Sequence, residues 1–517
     1  MNQITKLLRD NLLYKPADAI AGFFGYRFAK LKKQKGPFAA LMAIADGLNI
    51  VSIEPIERIL VLLSSAQARA IITPSLNAAR PTLGILSNDK YIAAAVLFTA
   101  ADELGCDVFC RAGDGYCDAS PNAAELVKLC KDRITILFAN RLTREVLTIF
   151  DVEFWVDEPH AYTLSSANYI SRRIWKETAQ QTGLFEHGKV SDLTDLLPAP
   201  HSMFVDFPID LVFTWVNADD PDWQRLYSQF RPEKATDGNS RSRFHSRDEL
   251  KYALRSWDLY APFIRKVFVV SNCAPPDWLD LQNGRVRWVW HEEILPASAL
   301  PTFSSHAIET SLHHIDGLSR NFIYSNDDNL LLRPAQPDDF FYPNGIAKVC
   351  LEPYGMVTGK AVAGHPDYLN GARNANVIIE RLLSKTPTQL VTHSPQPLNR
   401  DVLFELEALL QVEFAATAHN RFRSYKDVAV TGYLHAHYAI ITGRAVADQK
   451  PVMLIQQNHD FVGRLTKLEN KRKFSPRSLP LSVCLNDGAD SHLNEEWNRA
   501  VTHFLDLFWP SKSSFER

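Results

Sequence analysis

The sequence predicts an α/β protein built on a mainly parallel sheet, and three observations carry that reading. Short apolar runs at Ile209–Val216, Lys266–Ser271, Arg285–His291 and Asn321–Ser325 alternate with helical stretches, a β-α-β rhythm. Two of these runs stop in acidic pairs, Asp219-Asp220 after the first and Asp327-Asp328 after the last. Open α/β sheets bind ligands at the carboxyl ends of their strands. Adjacent carboxylates resist joint ionisation unless something neutralises them. Hard divalent cations do so through oxygen ligands, so two acidic strand ends in one sheet suggest a metal-diphosphate site.

Composition sets the frame. A chain of 517 residues, 46% of them hydrophobic, has room for two to four domains with real cores. A formal net charge of −3 offers no global attraction to nucleic acid. No stretch approaches the length of a membrane-spanning helix, and the N-terminus lacks the apolar core and cleavage site of a secretory signal. Seven cysteines, odd in number and mostly scattered, suit a reducing cytosol. Cys106, Cys110 and Cys117 cluster without the paired Cys-x-x-Cys spacing of common zinc sites, so they read as buried thiols.

Residues 1–36 form a basic, partly amphipathic arm. Lys6, Arg9, Lys15, Arg27, Lys30, Lys32, Lys33 and Lys35 are opposed only by Asp10 and Asp18. Such an arm can rest on anionic lipid or pack as a solvated helix on the body. Residues 37–200 form a mixed α/β domain and linker, with helices over Ile56–Leu63 and Tyr91–Leu104 and strands over Asp107–Arg111 and Ile134–Ala139. Trp155, Tyr169 and Trp175 supply aromatic packing there, and Leu196–Pro208, with three prolines, is the linker.

Residues 201–350 are read as the core. After the first strand comes a polar loop, Ala235–Arg243, and then Ser246 opens a helix through Tyr260, with Glu249 completing a capping box. In Leu300–Ile315, Ser304 or Ser305 caps a helix that would place His306, Glu309 or Thr310, and His313 on one face. A zinc site, a phosphate contact, an acceptor-hydroxyl base and an ordinary packed histidine all fit that pattern. Residues 351–480 are read as a helical insertion. It holds the amide-rich Asp367–Asn376 with Arg373, then His393-Ser394-Pro395, a helix over Leu398–Leu410, and the Arg421/Arg423 pair in Asn420–Asp427. His435 and His437 fall in a helix over Tyr433–Gly443. Residues 481–517 return to the core: Cys484–Asp490 (CLNDGAD) echoes the acidic strand end, and Asn494–Trp509 reads as an amphipathic helix.

These motifs together resemble the Stealth family of sugar-phosphate transferases. The likeness is carried by IDLVFTWVNADDP, by SRDELKYALRSWDLYAPFIRKVFVV with LPTFSSHAIETSLHHIDGLSRNFIYSNDDNLLL, by THSPQPLNRDVLFELE with FRSYKD, and by CLNDGAD, in that order over roughly residues 209–494. It is greatest toward meningococcal serogroup A-type capsule polymerases. The resemblance implies a GT-A-like sheet with helical additions. It also implies transfer of N-acetylhexosamine-1-phosphate from a UDP-sugar to a hydroxyl of a capsule oligosaccharide, at the cytosolic face of a bacterial inner membrane.

On that reading Asp327, Asp328 and Asp487 hold Mg²⁺ or Mn²⁺. Arg247, Arg421 and Arg423 face nonbridging oxygens, for which guanidinium geometry is suited. His306 or Asp220 accepts the acceptor proton, with His393 also placed in the catalytic set. Asn217, Asp219, Arg255, Asn326, Arg373, Asn374 and Asn486 are the candidate substrate contacts. Much of the family has Asp-Gly-Ser-Asp after Trp-Val, whereas this chain has Asn217-Ala218-Asp219-Asp220. Asn217 cannot act as a base, which moves the acidic function of that loop to Asp220. The rival readings are a metal-dependent glycosyltransferase that releases UDP and a non-catalytic capsule-assembly protein.

Overall fold

Strand continuity decides the architecture. The apolar runs of the second half pair side by side into one five-stranded sheet. The computed structural model describes residues 27–29, 54–74, 82–112, 115–118, 127, 133–142, 146–165, 168, 170–231, 244, 246–457, 460–474, 478–488 and 491–517. The basic arm, apart from the short strand Arg27–Ala29, lies outside the described residues, as do the loop Ala235–Arg243 and Tyr169. The chain divides into two compact units, Met1–Met203 with Asn470–Ser478, and Phe204–Glu469 with Leu479–Arg517.

Among its described residues, the first unit is a mixed, mostly antiparallel sheet of ten strands, the longest of them Val146–Asp157. Helices Glu54–Ser65 and Lys90–Glu103 and strands Cys106–Ala112 and Arg133–Asn140 fall where the periodicity predicts, the second helix shifted by one residue and the others extended by one or two at each end. Cys106 and Cys110 are buried thiols. Gly84 is required by close approach, because a Cβ there would lie 2.7 Å from the indole nitrogen of Trp155 and 2.8 Å from Ile71.

The second unit carries the site. The elements that position the site are β1 (Ile209–Thr214), α1 (Pro221–Phe230), α2 (Glu249–Tyr260), β2 (Ile264–Ser271), β3 (Val286–Trp290), α3 (Ser305–Glu309), β4 (Asn321–Asn326), β5 (Asn329–Leu331), α4 (Asp367–Leu383), β6 (Gln396–Asn399), α5 (Arg400–Leu409), β7 (Val452–Gln456), β8 (Ser482–Asn486) and α6 (Glu495–Phe508). The strand order is β3-β2-β1-β4-β6, with β1 to β4 parallel and β6 antiparallel to β4. Alternate residues feed two cores. Leu211, Phe213, Val267, Val269 and Ile323 join one cluster, while Val212, Phe268, Val270, Phe322 and Tyr324 join the other. A sheet covered on both faces has no polar face, which is why its strands read as unbroken apolar runs.

Several expected boundaries move, each for a local reason. His291 leaves β3 and starts a helical turn. Helix α2 starts at Glu249, so Ser246 lies outside it, and the Glu249 carboxylate turns back to accept from the Arg247 amide at 2.5 Å. Leu398 pairs with Phe322 in the sheet, so α5 begins only at Arg400, capped by Asn399. A π-helical turn, Val430–His435, precedes the short helix Ala436–Ile441 and holds His435. The stretch expected as a helical insertion also carries strands Gln389–Val391, β6, Ala445–Asp448 and β7.

One ion pair staples the sheet. Asp210 on β1 has no exposed surface, and Arg265 on β2 donates to both its oxygens at 2.8 and 2.5 Å. The amide of Ser319, just before β4, donates to the same carboxylate at 2.7 Å. Removing the arginine leaves a buried, uncompensated charge, so Arg265→Ala is expected to cost about 3 kcal/mol of unfolding free energy. A urea midpoint equal to that of the parent protein would refute this.

Candidate active site

The acidic turn sits where two sheets meet. Strand β4 ends at Asn326, Asp327 and Asp328 form a two-residue turn, and β5 leaves to pair antiparallel with β8. That pairing sets Cys484 opposite Asn329 and brings the end of β8 back to the turn. The amide of Leu485 donates to the carbonyl of Asp328 at 2.9 Å, and the Cys484 thiol donates to its carboxylate at 3.3 Å. The two acidic strand ends that look alike in sequence, Asn326-Asp327-Asp328 and Asn486-Asp487, are thereby made neighbours.

Arg247 closes this cluster. Its Nη1 donates to Glu249 at 2.8 Å and to Asp487 at 2.9 Å, and its Nε to Asn498 on α6 at 2.7 Å. The Nη2 atom is buried without a partner among the described residues. Trp497 donates its indole N–H to the second oxygen of Asp487 at 2.9 Å. Asn486 accepts from Gln456 at 3.0 Å. Two carboxylates therefore share one guanidinium, and the charges of Asp327 and Asp328 add to theirs.

The excess negative charge registers on the turn itself. Burial pushes Asp327 well above the carboxylate range, and Glu249, Asp328 and Asp487 add to the rise. Burial likewise raises Asp328 to about 6; the Cys484 thiol pulls it down, and Asp487 and Glu249 raise it again. Both side chains nevertheless keep some surface open to solvent.

A second cluster stands on the other face of the sheet's end. The short helix α3, capped by Ser304, presents His306, whose Nδ1 lies 3.1 Å from a carboxylate oxygen of fully buried Asp427. Asp427 also accepts from Asn420 at 2.6 Å and from the Ser424 amide at 2.8 Å, which fixes its orientation. Nε2 of His306 makes no hydrogen bond among the described residues. Arg423 donates to Ser305 at 2.6 Å, and its charge acts on both His393 and Tyr324. Tyr324 lies on β4 three residues before Asp327 and donates to buried Glu309, which also accepts from Thr431 at 2.6 Å. Strand β4 thus links the acidic cluster and the histidine–arginine cluster.

Other predicted residues are committed elsewhere. Asp220 caps α1 by accepting from Asp222 and Trp223, and its second oxygen accepts from Ala274 at 2.8 Å, so no oxygen is left without a backbone donor. Arg255 is held by Glu516 at 2.7 Å through two nitrogens, and by the Trp509 carbonyl. Arg373 donates to the Thr358 carbonyl and meets His365, while Asn374 donates to the carbonyls of Tyr425 and Asp427. Arg421 lies 4.1 Å over the Phe230 ring and donates to the Pro301 carbonyl. Asn217 accepts from the amide of Asp219, and Asp219 and Asn326 are exposed. His313 does not share a face with His306: α3 stops at Glu309, and a 3₁₀ turn, Leu312–His314, carries His313 toward Glu407.

Sequence reasoning passed over Glu249 as a helix cap and over Asp427 as the last residue of a loop. The available signal was weak in each case: an acidic residue beside a conspicuous arginine, in Arg247-Asp248-Glu249 and in Arg423-Ser424-Tyr425-Lys426-Asp427.

Fold and site together define an α/β protein with an acidic strand-end cluster and a histidine–carboxylate pair. Models of Stealth protein conserved regions 1, 2 and 3 match residues 207–235, 243–349 and 392–441. The capsular polysaccharide phosphotransferase SacB of Neisseria meningitidis serogroup A is 54% identical over 371 residues, 71% of this chain and 68% of that protein. The exopolysaccharide phosphotransferase CpsY of Mycobacterium tuberculosis is 33% identical over 375 residues, 71% of this chain and 69% of that one. The chain belongs to the Stealth family.

Among solved structures, the galactosyltransferase LgtC in complex with donor and acceptor sugar analogs is similar at 11% identity and a TM-score of 0.31, over 58% of this chain and 96% of that one. Mouse xyloside xylosyltransferase 1 is similar at 10% identity and a TM-score of 0.26, over 54% of this chain and 98% of that one. Likeness at this level carries no argument about activity, and the α/β class rests on the sheet itself.

The raised pKa of Asp328 makes folding stability depend on pH. An unfolded aspartate ionises near 3.9, so between about 4 and 6 the folded chain keeps a proton on Asp328 that the unfolded chain has lost. Stability is therefore lost as pH rises through that window. Asp328→Asn removes the loss, and should stabilise metal-free protein at about pH 8 by on the order of 1–2 kcal/mol, fading toward about pH 4. Thermal unfolding across pH tests this, and a difference that does not change with pH would sink it.

Proposed function

We propose that this protein is a capsule sugar-phosphate transferase that moves N-acetylhexosamine-1-phosphate from a UDP-sugar to a sugar hydroxyl, releasing UMP and building a phosphodiester-linked polymer. The observation that carries the reading is the pairing, around the end of β4, of an under-neutralised carboxylate cluster with the His306–Asp427 pair and Arg423. Phosphoryl-type transfer needs positioning and charge neutralisation more than covalent help. The relatives named capsular and exopolysaccharide phosphotransferases support the same class.

The donor set fits Mg²⁺ or Mn²⁺. Asp327, Asp328 and Asp487 offer hard oxygen ligands, and their excess charge over Arg247 is what a divalent cation would relieve. When bound, the cation would neutralise diphosphate oxygens. Arg423 is suited to the nonbridging oxygens of the transferred phosphate, and Nε2 of His306 to the acceptor hydroxyl proton. Asp427 holds the imidazole in place and stabilises it once it is protonated. Asp220, its oxygens given to backbone amides, serves the loop instead.

A donor labelled only in its sugar-proximal phosphate tests which bond breaks. Label is expected in the polymer, with unlabelled UMP released. Labelled UDP with none in the polymer would make this an ordinary glycosyltransferase, and no turnover of any UDP-sugar would favour the assembly-protein reading.

The base assignment is tested separately. His306→Gln should lower turnover by about 10²–10⁴-fold. Asp427→Asn should lower kcat more than it raises KM while the unfolding midpoint holds near that of the parent. Full activity in His306→Gln would remove the histidine from the mechanism.

A further inference from the structure

We propose that His313, His314 and Glu407 form a second metal site, one that takes a divalent transition metal with Zn²⁺ preferred. It stands at the amino end of β4, whereas the acidic turn follows the carboxyl end of the same strand. Nε2 of His313 lies 2.9 Å from Oε2 of Glu407, and Nε2 of His314 lies 3.0 and 3.1 Å from its two oxygens. The three ligand atoms fall within 4.8 Å of one another. Ligands at about 2.0–2.2 Å from a tetrahedral zinc stand roughly 3.3 Å apart, so small side-chain adjustments would seat the ion.

The surroundings hold the ligands in that arrangement. The two imidazole rings pack 4.3 Å apart, and Phe404, one turn before Glu407 on α5, sets its ring edge-on to both, at 4.7 and 5.4 Å. Arg400, at the start of α5, donates to the His313 and Leu318 carbonyls, which locks the turn against the helix. His313 is fully buried, so its ring is held in one place by the packing around it. His314 and Glu407 are partly open, with side-chain exposures of 38% and 34%, which gives an ion access and leaves a coordination position for water. Two imidazoles and one carboxylate favour zinc, cobalt or nickel over magnesium, which prefers oxygen ligands. An ion here would tie the turn before β4 to α5 and brace the strand that carries the acidic turn.

The test uses the full chain, stripped with a chelator and titrated with ZnSO₄ by calorimetry in excess MgCl₂, so that the acidic cluster is occupied. One equivalent of zinc should bind, cobalt substitution should give the visible bands of a nitrogen- and oxygen-ligated tetrahedral ion, and zinc should raise the Tm. His314→Ala, at a partly exposed position, should fold as the parent does without metal. It should bind zinc at least about 100-fold more weakly and lose the rise in Tm. Glu407→Gln should weaken binding in the same direction. Equal zinc binding by His314→Ala and the parent would overturn the site. So would a parent protein that takes up no zinc, which would make the three residues a hydrogen-bonded clamp only.

Discussion

Unbalanced charge at the junction of two sheets is the constraint on which the rest of the molecule depends. Asp327 and Asp328 sit in a two-residue turn, and their neighbours Glu249 and Asp487 are also acidic. Arg247 meets only part of that charge. Such a cluster opposes folding by itself, because crowded carboxylates in a desolvated place cannot all ionise cheaply. It persists because both faces of the five-stranded sheet pack into large apolar cores, which hold β4 whatever happens at its end. The resulting strain is electrostatic, of the kind that a divalent cation would relieve.

The return of the chain at β8 matters as much as the turn. Cys484, Asn486 and Asp487 reach Asp328 only because β8 pairs with β5. Trp497 and Asn498 on α6 then fix Asp487 and Arg247 from outside the sheet. The last stretch of the chain is therefore part of the acidic cluster, while the residues around His306 and Asp427 supply the basic partner across the strand. On the proposed function, a site divided this way would separate charge neutralisation from proton handling, the two tasks that transfer of a phosphoryl group requires.

Much of this was legible in advance, and the failures have a common cause. Asp327, Asp328 and Asp487 stood out because acidic residues at the end of apolar runs are costly without a purpose. Arg255, Arg373 and Arg421 looked equally purposeful, yet each is held by carbonyls, a ring or a carboxylate within the fold. A guanidinium has five donors and serves backbone oxygen as readily as phosphate, so its presence in a motif does not separate the two uses. Asp220 is committed in the same way, because an aspartate before Pro221 is also a very good helix cap.

What the sequence by itself determined is the four parallel strands of the central sheet, their apolar character and the positions where acidic residues follow them. Those follow from local pattern, because an apolar run must be covered and a carboxylate at its end must face water or a counter-charge. What only the tertiary structure decided is which distant groups meet. Arg247 and Asp487 are 240 residues apart, and His306 and Asp427 are 121 apart. The helical spacing that set His306 beside His313 was broken by a 3₁₀ turn, which sent His313 to His314 and Glu407 instead. Partners at such separations are chosen by strand pairing and core packing, and neither leaves a local trace in the residues that end up in contact.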